Sequence, residues 1–458
     1  MKSAKHQWRP RLPRGREHKR VWKRVDNAAN IFVATMTDLD TKVFRFSAEL
    51  DDDVDPATLQ RALDRVYDSY PLYHSVLRRG FFWYYLEQSN LRPVVQPDVL
   101  VPFDHLYHFD RRELLFRVVH HRRRLALEVF HVLSDGTGGW RFFRDLVSDY
   151  LRLRAGLEPA KVEPTPHTSL TADSFGAYFG SRAKRQQEAK PEPQDDKPKA
   201  KQRMFGADAE APVLRVRGSV TPDRRNRLIE FTLPADVVLK RSKSQGISLT
   251  IYLVALYFEA TRRSSPDIDR KPSIAITVPV NLRTHFPSES ARNFFSVTRL
   301  EHTYGVGDDS IQAVAASLKA QLMPQIAKES LQAQVDKLLD VERHPIGRFI
   351  PRAVKDLALN VVNRINERAL TLAMTGLGKL EFPDDVDDQV REVHLSVSTR
   401  RPQISVVTHH NWLTIGFTSP FVEMELPAAF AALLREEGIP VEISLNKVTS
   451  AELEEGTR

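Results

Sequence analysis

Residues 128–140 read EVFHVLSDGTGGW, and they combine a strand, a histidine and a glycine-rich turn. Apolar residues alternate through 125–129, which predicts a strand with one buried face, and His131 continues the inward parity. The turn SDGTGG comes next, and a helix is predicted from about Trp140. Three interpretations fit this pattern: a proton-transfer site, a metal site, or an ordinary turn between a strand and a helix.

The chemistry that best suits His131 is general base catalysis. A neutral imidazole with an ordinary pKa of about 6.5 takes a proton from a hydroxyl or an amine at neutral pH. Asp135 is expected to hold the turn by pairing with an arginine, because a satisfied ion pair stiffens a site. Gly136 and the glycines that follow it permit backbone shapes and close approaches that larger residues block.

A metal site at this motif is not expected. Zinc would need at least two further ligands, and the spacing of His120 and His121 from His131 follows no standard pattern. A core histidine beside a turn-capping aspartate remains an alternative, because the motif alone also arises by chance in chains of this length.

The composition is that of a globular protein with two domains or lobes. The chain has 458 residues, 41% of them hydrophobic and 28% charged, and no apolar run approaches the length of a membrane span. It has no cysteine, which excludes disulfides, thiolate ligands and a cysteine nucleophile. A cytoplasmic location is expected, since the start resembles no secretory signal. No phosphate-binding loop or Gly-x-Ser-x-Gly elbow is present, which disfavours nucleotide hydrolysis and α/β-hydrolase chemistry.

The net charge of +8 comes from one end of the chain. Residues 2–24 hold ten Lys or Arg and a single acid, whereas the rest of the 67 basic and 59 acidic residues nearly cancel. Residues 1–24 are therefore predicted to be a disordered basic arm in solvent. Peripheral contact with anionic membrane or an acidic partner is the alternative, and binding of nucleic acid is not expected.

A second compositional break divides the body of the chain. Residues 181–204 begin with a polar stretch in which no aliphatic residue is larger than alanine, so a flexible linker is predicted there. It separates an N-terminal lobe, 25–180, from a C-terminal lobe, 205–450, with a tail at 451–458.

Both lobes open with a strand followed by a helix. In the first, the strand VFRFSAEL precedes a helix capped by Asp55 with Pro56 in its first turn. In the second, RLIEFTLP precedes a helix that ends near Gly246. The stretch 249–258 predicts a buried helix. Further strands are predicted at 81–87, 124–131, 273–280, 392–398, 403–410 and 412–418, and their hairpin-like spacing favours mixed sheets.

An amphipathic helix is predicted at 351–370, with Leu357, Val361 and Ile365 on one stripe. Such a stripe usually packs against the protein's own core. The alternatives are a lid and a surface that meets lipid-like acceptors.

HVLSDG resembles the His-x-x-x-Asp-Gly signature of the chloramphenicol acetyltransferase-like superfamily. That superfamily includes peptide-synthetase condensation domains, plant acyltransferases and polyketide-associated acyltransferases. More narrowly, the chain resembles the bacterial alcohol acetyltransferase-like branch over roughly residues 25–445. The resemblance depends on four segments: 70–87, 131–139, 278–295 and 375–383.

The resemblance implies an α/β fold of two similar lobes, with mixed sheets and an active-site tunnel between them. Acyl-CoA, as a co-substrate, and a hydroxyl acceptor would enter from opposite faces, with no bound cofactor. His131 would deprotonate the acceptor, which attacks the thioester directly, so an acyl-CoA-dependent O-acyltransferase is expected. His409 and His410 line the tunnel in one interpretation; in the other they face solvent or cap a hairpin.

Other site residues follow from the same resemblance. Asp135 and Gly136 complete the signature, with Asp135 in a structural role. Arg283 is the candidate partner of Asp135, and a solvated arginine at a strand end is the alternative. Asn281 and Asn293 are candidate donors to the tetrahedral oxyanion, although both are also typical turn residues. Thr375 is a further structural or oxyanion candidate.

The chain departs from the superfamily's patterns at two places. Condensation domains carry a second histidine where Phe130 stands, which argues against peptide-bond formation on carrier proteins. In the alcohol acetyltransferase branch, Ser and Asn occupy the positions of Thr375 and Gly376. A catalytically degenerate protein of the same fold, binding an acyl ligand or a partner, is therefore the alternative function.

Overall fold

The computed structural model describes residues 22–99, 101–158, 175, 213–270, 272–343, 349–449 and 452. The predicted linker at 181–204, residues 1–21 of the predicted arm, and the tail apart from Glu452 lie outside the described residues. The last three residues of the predicted arm, Trp22–Arg24, form a strand instead, which corrects the prediction. The strand is held by backbone pairing with residues 85–87 and by the ring of Trp22, which packs at a tilt against Tyr85.

Strands and helices alternate irregularly along the chain. The strands are β1 (Trp22–Arg24), β2 (Val43–Leu50), β3 (Ser75–Arg79), β4 (Tyr84–Gln88), β5 (Gln96–Pro97), β6 (Phe116–His121), β7 (Arg124–Phe130), β8 (Arg227–Pro234), β9 (Ser273–Asn281), β10 (Phe295–Thr303), β11 (Leu372–Lys379), β12 (Val390–Val397), β13 (Gln403–His409), β14 (Trp412–Ser419) and β15 (Glu442–Leu445). The helices are α1 (Asn27–Thr35), α2 (Pro56–Ser69), α3 (Gly136–Arg154), α4 (Ala235–Ser244), α5 (Leu249–Ser264), α6 (Ile311–Gln325), α7 (Lys328–Arg343), α8 (Arg352–Arg368) and α9 (Glu425–Glu436).

The strands form three sheets. A five-stranded sheet has the order β12-β2-β7-β6-β5, a seven-stranded sheet has the order β10-β9-β11-β13-β14-β8-β15, and β1, β4 and β3 form a small third sheet. In the seven-stranded sheet, β11 runs parallel to β9 and β13 while the other pairs are antiparallel. The predicted α/β fold with mixed sheets and helices is confirmed.

Each large sheet packs against helices through its own apolar cluster. In the first, Phe46 of β2 stacks on Phe143 of α3 with ring centroids 5.8 Å apart. The predicted cap of α2 is present, because Asp55 accepts a hydrogen bond from the backbone of Thr58 at 2.8 Å. In the second cluster, α5 is buried along most of its length, as its sequence predicts.

The two large sheets meet at β12, a strand from the second half of the chain. It pairs antiparallel with β2, so residues 390–397 complete the sheet that otherwise comes from the first half. A Cβ atom on Gly416 of β14 would lie 2.2 Å from the carbonyl oxygen of Leu395, so only glycine lets these backbones approach so closely. The lobe boundaries predicted from composition stay a prediction.

The strand predicted at 81–87 and the helix predicted at 351–370 both differ from expectation in the structure. The strand expected from residue 81 begins at Tyr84, because Gly80 and Trp83 form a turn in which the Gly80 N–H donates to the Trp83 carbonyl at 2.8 Å. The helix at 351–370 exists as α8, but the prediction that its apolar stripe packs against the core is wrong, since none of its residues is buried. Among the described residues, no helix is long and apolar enough to cross a membrane.

Candidate active site at the His131 turn

Helix α3 begins four residues earlier than its apolar stripe predicts. Asp135 is its N-cap and accepts a hydrogen bond from the backbone N–H of Gly138 at 2.9 Å. The glycines therefore form the first helical turn, not the loose turn that the sequence indicates. Close packing explains why glycine is needed at 138, because a Cβ on Gly138 would lie 2.1 Å from the carbonyl oxygen of Ala291. At Gly136 the tightest contact of a Cβ would be the side chain of Leu377, at 3.2 Å.

The structure brings Arg283 to Asp135. Arg283 Nη1 donates to Asp135 Oδ2 at 2.6 Å, and both side chains are almost entirely buried. The remaining donors of the guanidinium reach the carbonyl oxygens of Ser290 and Arg292 at 2.7 and 2.6 Å. The backbone N–H of Phe294 also donates to Asp135 Oδ2, at 2.9 Å. The ion pair thus ties the N-terminus of α3 to the segment 290–294 of the other lobe.

Asn293 fixes the proton on the His131 ring. Its amide nitrogen lies 3.0 Å from the His131 carbonyl oxygen and 3.2 Å from each carboxylate oxygen of Asp26, which can only accept. Asn293 Oδ1 therefore faces His131 Nδ1, at 3.0 Å, and accepts its hydrogen bond. Neutral His131 accordingly carries its proton on Nδ1, and the lone pair is on Nε2.

The surroundings of His131 keep the ring neutral. Burial lowers its pKa below the ordinary value, and this outweighs the carboxylate of Asp135 and the hydrogen bond to Asn293, which raise it. The rings of Phe32, Phe44 and Phe295 lie around the imidazole, with centroids 4.4, 5.2 and 5.8 Å away. The side chain is half-buried, and the predicted tunnel stays a prediction.

Asn281 and Thr375, two of the predicted oxyanion and structural candidates, lie at turn and strand positions. Asn281 caps a short 3-10 turn by accepting from the Arg283 backbone at 3.0 Å, and its amide nitrogen donates to Thr137 Oγ1 at 3.3 Å. Thr375 is half-buried in β11, opposite Ser405 of β13. The amide nitrogen of Asn293 is directed to Asp26 and to the His131 carbonyl. The oxyanion role predicted for the two asparagines stays a prediction.

Phe130 points away from His131, on the opposite side of β7. Its ring is fully buried and stacks on Tyr107 at 6.0 Å between centroids. On the same side of the strand, buried Glu128 forms ion pairs with Arg45 and Arg117. Both faces of β7 are therefore covered, whereas the alternating sequence predicts one buried face.

Among the described residues, one cluster has the side chains and spacing of a metal site: Asp387, His409 and His410, with ligand atoms within 4.8 Å of one another. His409 is buried, and its two ring nitrogens lie 3.1 and 3.0 Å from the carbonyl oxygens of Leu380 and Val390. Both nitrogens are thus engaged with the backbone, which does not suit a metal ligand. His410 is in the exposed hairpin after β13.

Asp26 is the site residue that sequence reasoning missed. It caps α1 by accepting from the backbone N–H of Ala29 at 2.8 Å, and it anchors the amide of Asn293 from 267 positions away. The only signal was its place before the helix-forming residues 27–35, which marks an N-cap and not a site.

No known family profile matches the chain, and no curated protein matches it. Several solved structures match the chain. The first condensation domain of the calcium-dependent antibiotic synthetase, in complex with a substrate analogue, matches with a TM-score of 0.61 and 14% identity, covering 91% of this chain and 95% of that one. The chain therefore has the fold of this condensation domain, which is the fold that the resemblance in its sequence implies.

Two fungal proteins have the same fold. Trichothecene 15-O-acetyltransferase TRI3 from Fusarium sporotrichioides matches with a TM-score of 0.59 and 10% identity, covering 95% of this chain and 99% of that one. TRI101 of F. sporotrichioides, in complex with coenzyme A and T-2, matches with a TM-score of 0.56 and 10% identity, covering 90% and 97%. At these identities the likeness establishes the fold alone.

Proposed function

We propose that the protein is an acyl-CoA-dependent O-acyltransferase of the alcohol acetyltransferase type, with His131 as general base. The observation that carries the proposal is the hydrogen bond from His131 Nδ1 to Asn293 Oδ1, at 3.0 Å. It leaves the lone pair on Nε2, and an unprotonated ring nitrogen is what a general base needs. Coenzyme A in the TRI101 complex and the O-acetyl transfer of TRI3 support a CoA thioester as donor and a hydroxyl as acceptor.

In the proposed reaction, Nε2 takes the proton of the acceptor hydroxyl as its oxygen attacks the thioester carbonyl. The tetrahedral intermediate then breaks its C–S bond, and the imidazolium returns the proton to the leaving CoA thiolate. No covalent acyl-enzyme forms, in keeping with a chain that has no cysteine. Asp135 and Arg283 hold the turn behind the base and do not touch the reacting atoms. We place this activity in the cytoplasm.

A panel of alcohols tests the proposal. The full chain is mixed with acetyl-CoA or a longer acyl-CoA, and release of CoA thiol is followed with and without each alcohol. We expect release that depends on an alcohol and yields the matching ester by mass spectrometry. If acyl-CoA binds but no alcohol on the panel stimulates release, the proposal fails and the non-catalytic alternative is favoured.

A further inference from the structure

Helix α8 packs against the rest of the protein with its polar side. Successive residues of an α-helix are about 100° apart, and with that spacing the eight partly buried residues of α8 lie on one side of the helix. Seven of these eight residues are polar. Asn360 donates to the carbonyl oxygen of Ala34 in α1, and Arg401 donates to Glu367 at 2.7 Å. Tyr84 of β4 donates to Asp356 at 2.9 Å. Hydrogen bonds and an ion pair, with little apolar packing, therefore hold α8 in place.

The opposite side of α8 is apolar and faces outward. Seven of its nine exposed residues are apolar, and the large ones are 46 to 66% exposed: Val354, Leu357, Val361, Val362 and Ile365. This arrangement inverts that of an ordinary surface helix, which turns its apolar stripe toward the core. An apolar stripe left outward in this way indicates a surface with a partner.

Three exposed phenylalanines lie near the N-terminus of α8. Phe349 is 77% exposed and stands three residues before the helix. Phe81 is 73% exposed, and its carbonyl oxygen accepts from the Arg352 backbone at 3.0 Å. Phe82 packs edge-on against Phe81, with centroids 4.8 Å apart, and its carbonyl accepts from Lys355 Nζ at 3.2 Å. The exposed apolar side of α8 and these three rings together form what we name the docking face.

The charge around the docking face is positive. The structure describes all of α8, and nine of its residues are exposed. The two polar residues among these nine are Arg364 and Arg368. Lys355 and Arg24 lie over the ring of Trp83, 3.4 and 3.7 Å from its centroid, at the edge of the face. In the sequence, residues 2–21 come before β1, the strand that contains Arg24, and they include eight Lys or Arg and one acid.

We propose that the docking face binds the surface of an anionic lipid membrane. A helix that lies with an apolar stripe outward, flanked by basic and aromatic side chains, has the features of an interfacial helix in a bilayer headgroup region. The basic residues around it complement anionic headgroups, and the sequence before β1 adds to the positive charge of the chain. A second copy of the chain would cover the apolar stripe but would bring the same positive charge to it, so it would leave that charge without a complement.

A membrane bound there would lie one helix away from His131. The docking face belongs to α8, α8 packs on α1, and Phe32 of α1 contacts the imidazole at 4.4 Å between centroids. A hydroxyl acceptor dissolved in the bilayer would have a short route to the base. This last consequence rests on the proposed function, whereas the docking face itself does not.

Vesicle flotation of the full chain tests the proposal. The vesicles are phosphatidylcholine alone or phosphatidylcholine mixed with phosphatidylglycerol, and we expect binding about tenfold stronger to the mixture. Replacement of Leu357, Val361 and Ile365 by Gln should weaken binding at least about tenfold, because it removes the apolar area that inserts. The matched control replaces three exposed apolar residues outside the docking face by Gln: Leu157, Val306 and Met323.

Circular dichroism and turnover of a water-soluble acceptor show whether each variant is folded, and the docking-face variant should keep both. Three results would overturn the proposal. One is no binding of the wild type to either vesicle. Another is equal binding of the docking-face variant and the control. The third is a wild-type dimer, seen by light scattering, that the docking-face variant converts to monomer with unchanged vesicle binding, since a second copy would then cover the face.

Discussion

Replacing Asn293 with alanine should remove the group that orients the His131 ring. In the wild type, Asn293 Oδ1 accepts the Nδ1 hydrogen at 3.0 Å, and this bond strengthens when the ring becomes an imidazolium in the transition state. A hydrogen bond to a charged group contributes about 1.5–3 kcal/mol. At about 1.36 kcal/mol per tenfold change in rate, we expect kcat to fall roughly 10- to 150-fold.

The pH profile of Asn293→Ala separates this role from a merely structural one. A general base loses activity as the pH falls through its pKa. In the wild type, burial already places the pKa of His131 below its ordinary value, and the bond to Asn293 raises it partly back. Without that bond the pKa falls further, so the acidic limb of kcat/KM should move to lower pH while the plateau drops.

The assay is release of CoA thiol across a pH series, with thermal unfolding measured in parallel. The matched control is Asn411→Ala, because its Oδ1 also accepts one hydrogen bond, here from the backbone N–H of Asp236 at 3.0 Å, but Asn411 lies in an exposed hairpin. An unchanged plateau in folded Asn293→Ala, or an acidic limb that moves to higher pH, would refute the reasoning.

Three further predictions concern stability. Arg283→Met should lower the free energy of unfolding by about 3–5 kcal/mol in urea, because it leaves the buried carboxylate of Asp135 without its ion-pair partner; an unchanged midpoint would show that the pair is dispensable. Gly138→Ala should lower the melting temperature, since its Cβ would clash with a carbonyl oxygen at 2.1 Å, whereas Gly307→Ala, in open space, should not. Burial raises the pKa of Glu230, but His394 and the guanidinium of Arg124 lower it more, to about 2. The carboxylate of Glu230 therefore stabilises the fold above its ordinary pKa, and this stabilisation is lost as the pH falls toward 2. The free energy of unfolding of Glu230→Gln should change less over that pH range than the free energy of unfolding of the wild type.

The local pattern of the sequence was enough to predict about half of the described elements of the fold. Asp55 followed by Pro56 marked the start of α2, and β9 and β13 occur within a residue of their predicted bounds. The start of α3 was missed because glycine usually ends or avoids helices. Here the close approach of Ala291 requires glycine inside the first turn, and no local pattern reveals a neighbour 150 or so residues away.

The site was predictable only in part, for the same reason. Residue type and spacing indicated His131 and Asp135, and the resemblance supplied Arg283 as a partner that the structure places on Asp135. The link from Asp26 through Asn293 to His131 joins residues separated by 267 and 162 positions, and it exists only when the two lobes pack. The outward orientation of the apolar stripe of α8 could not be predicted either. Periodicity identifies an apolar stripe, but it does not show whether the stripe faces the core or the solvent.

The most direct measurement compares His131→Ala with His410→Ala, an exposed histidine in the hairpin after β13. Binding of acyl-CoA is measured by calorimetry, and turnover with an alcohol that the wild type accepts is measured by thiol release. We predict that both variants bind acyl-CoA, that His410→Ala turns over as the wild type does, and that His131→Ala loses at least about a hundredfold in kcat. A folded His131→Ala protein that transfers the acyl group at the wild-type rate would contradict the account.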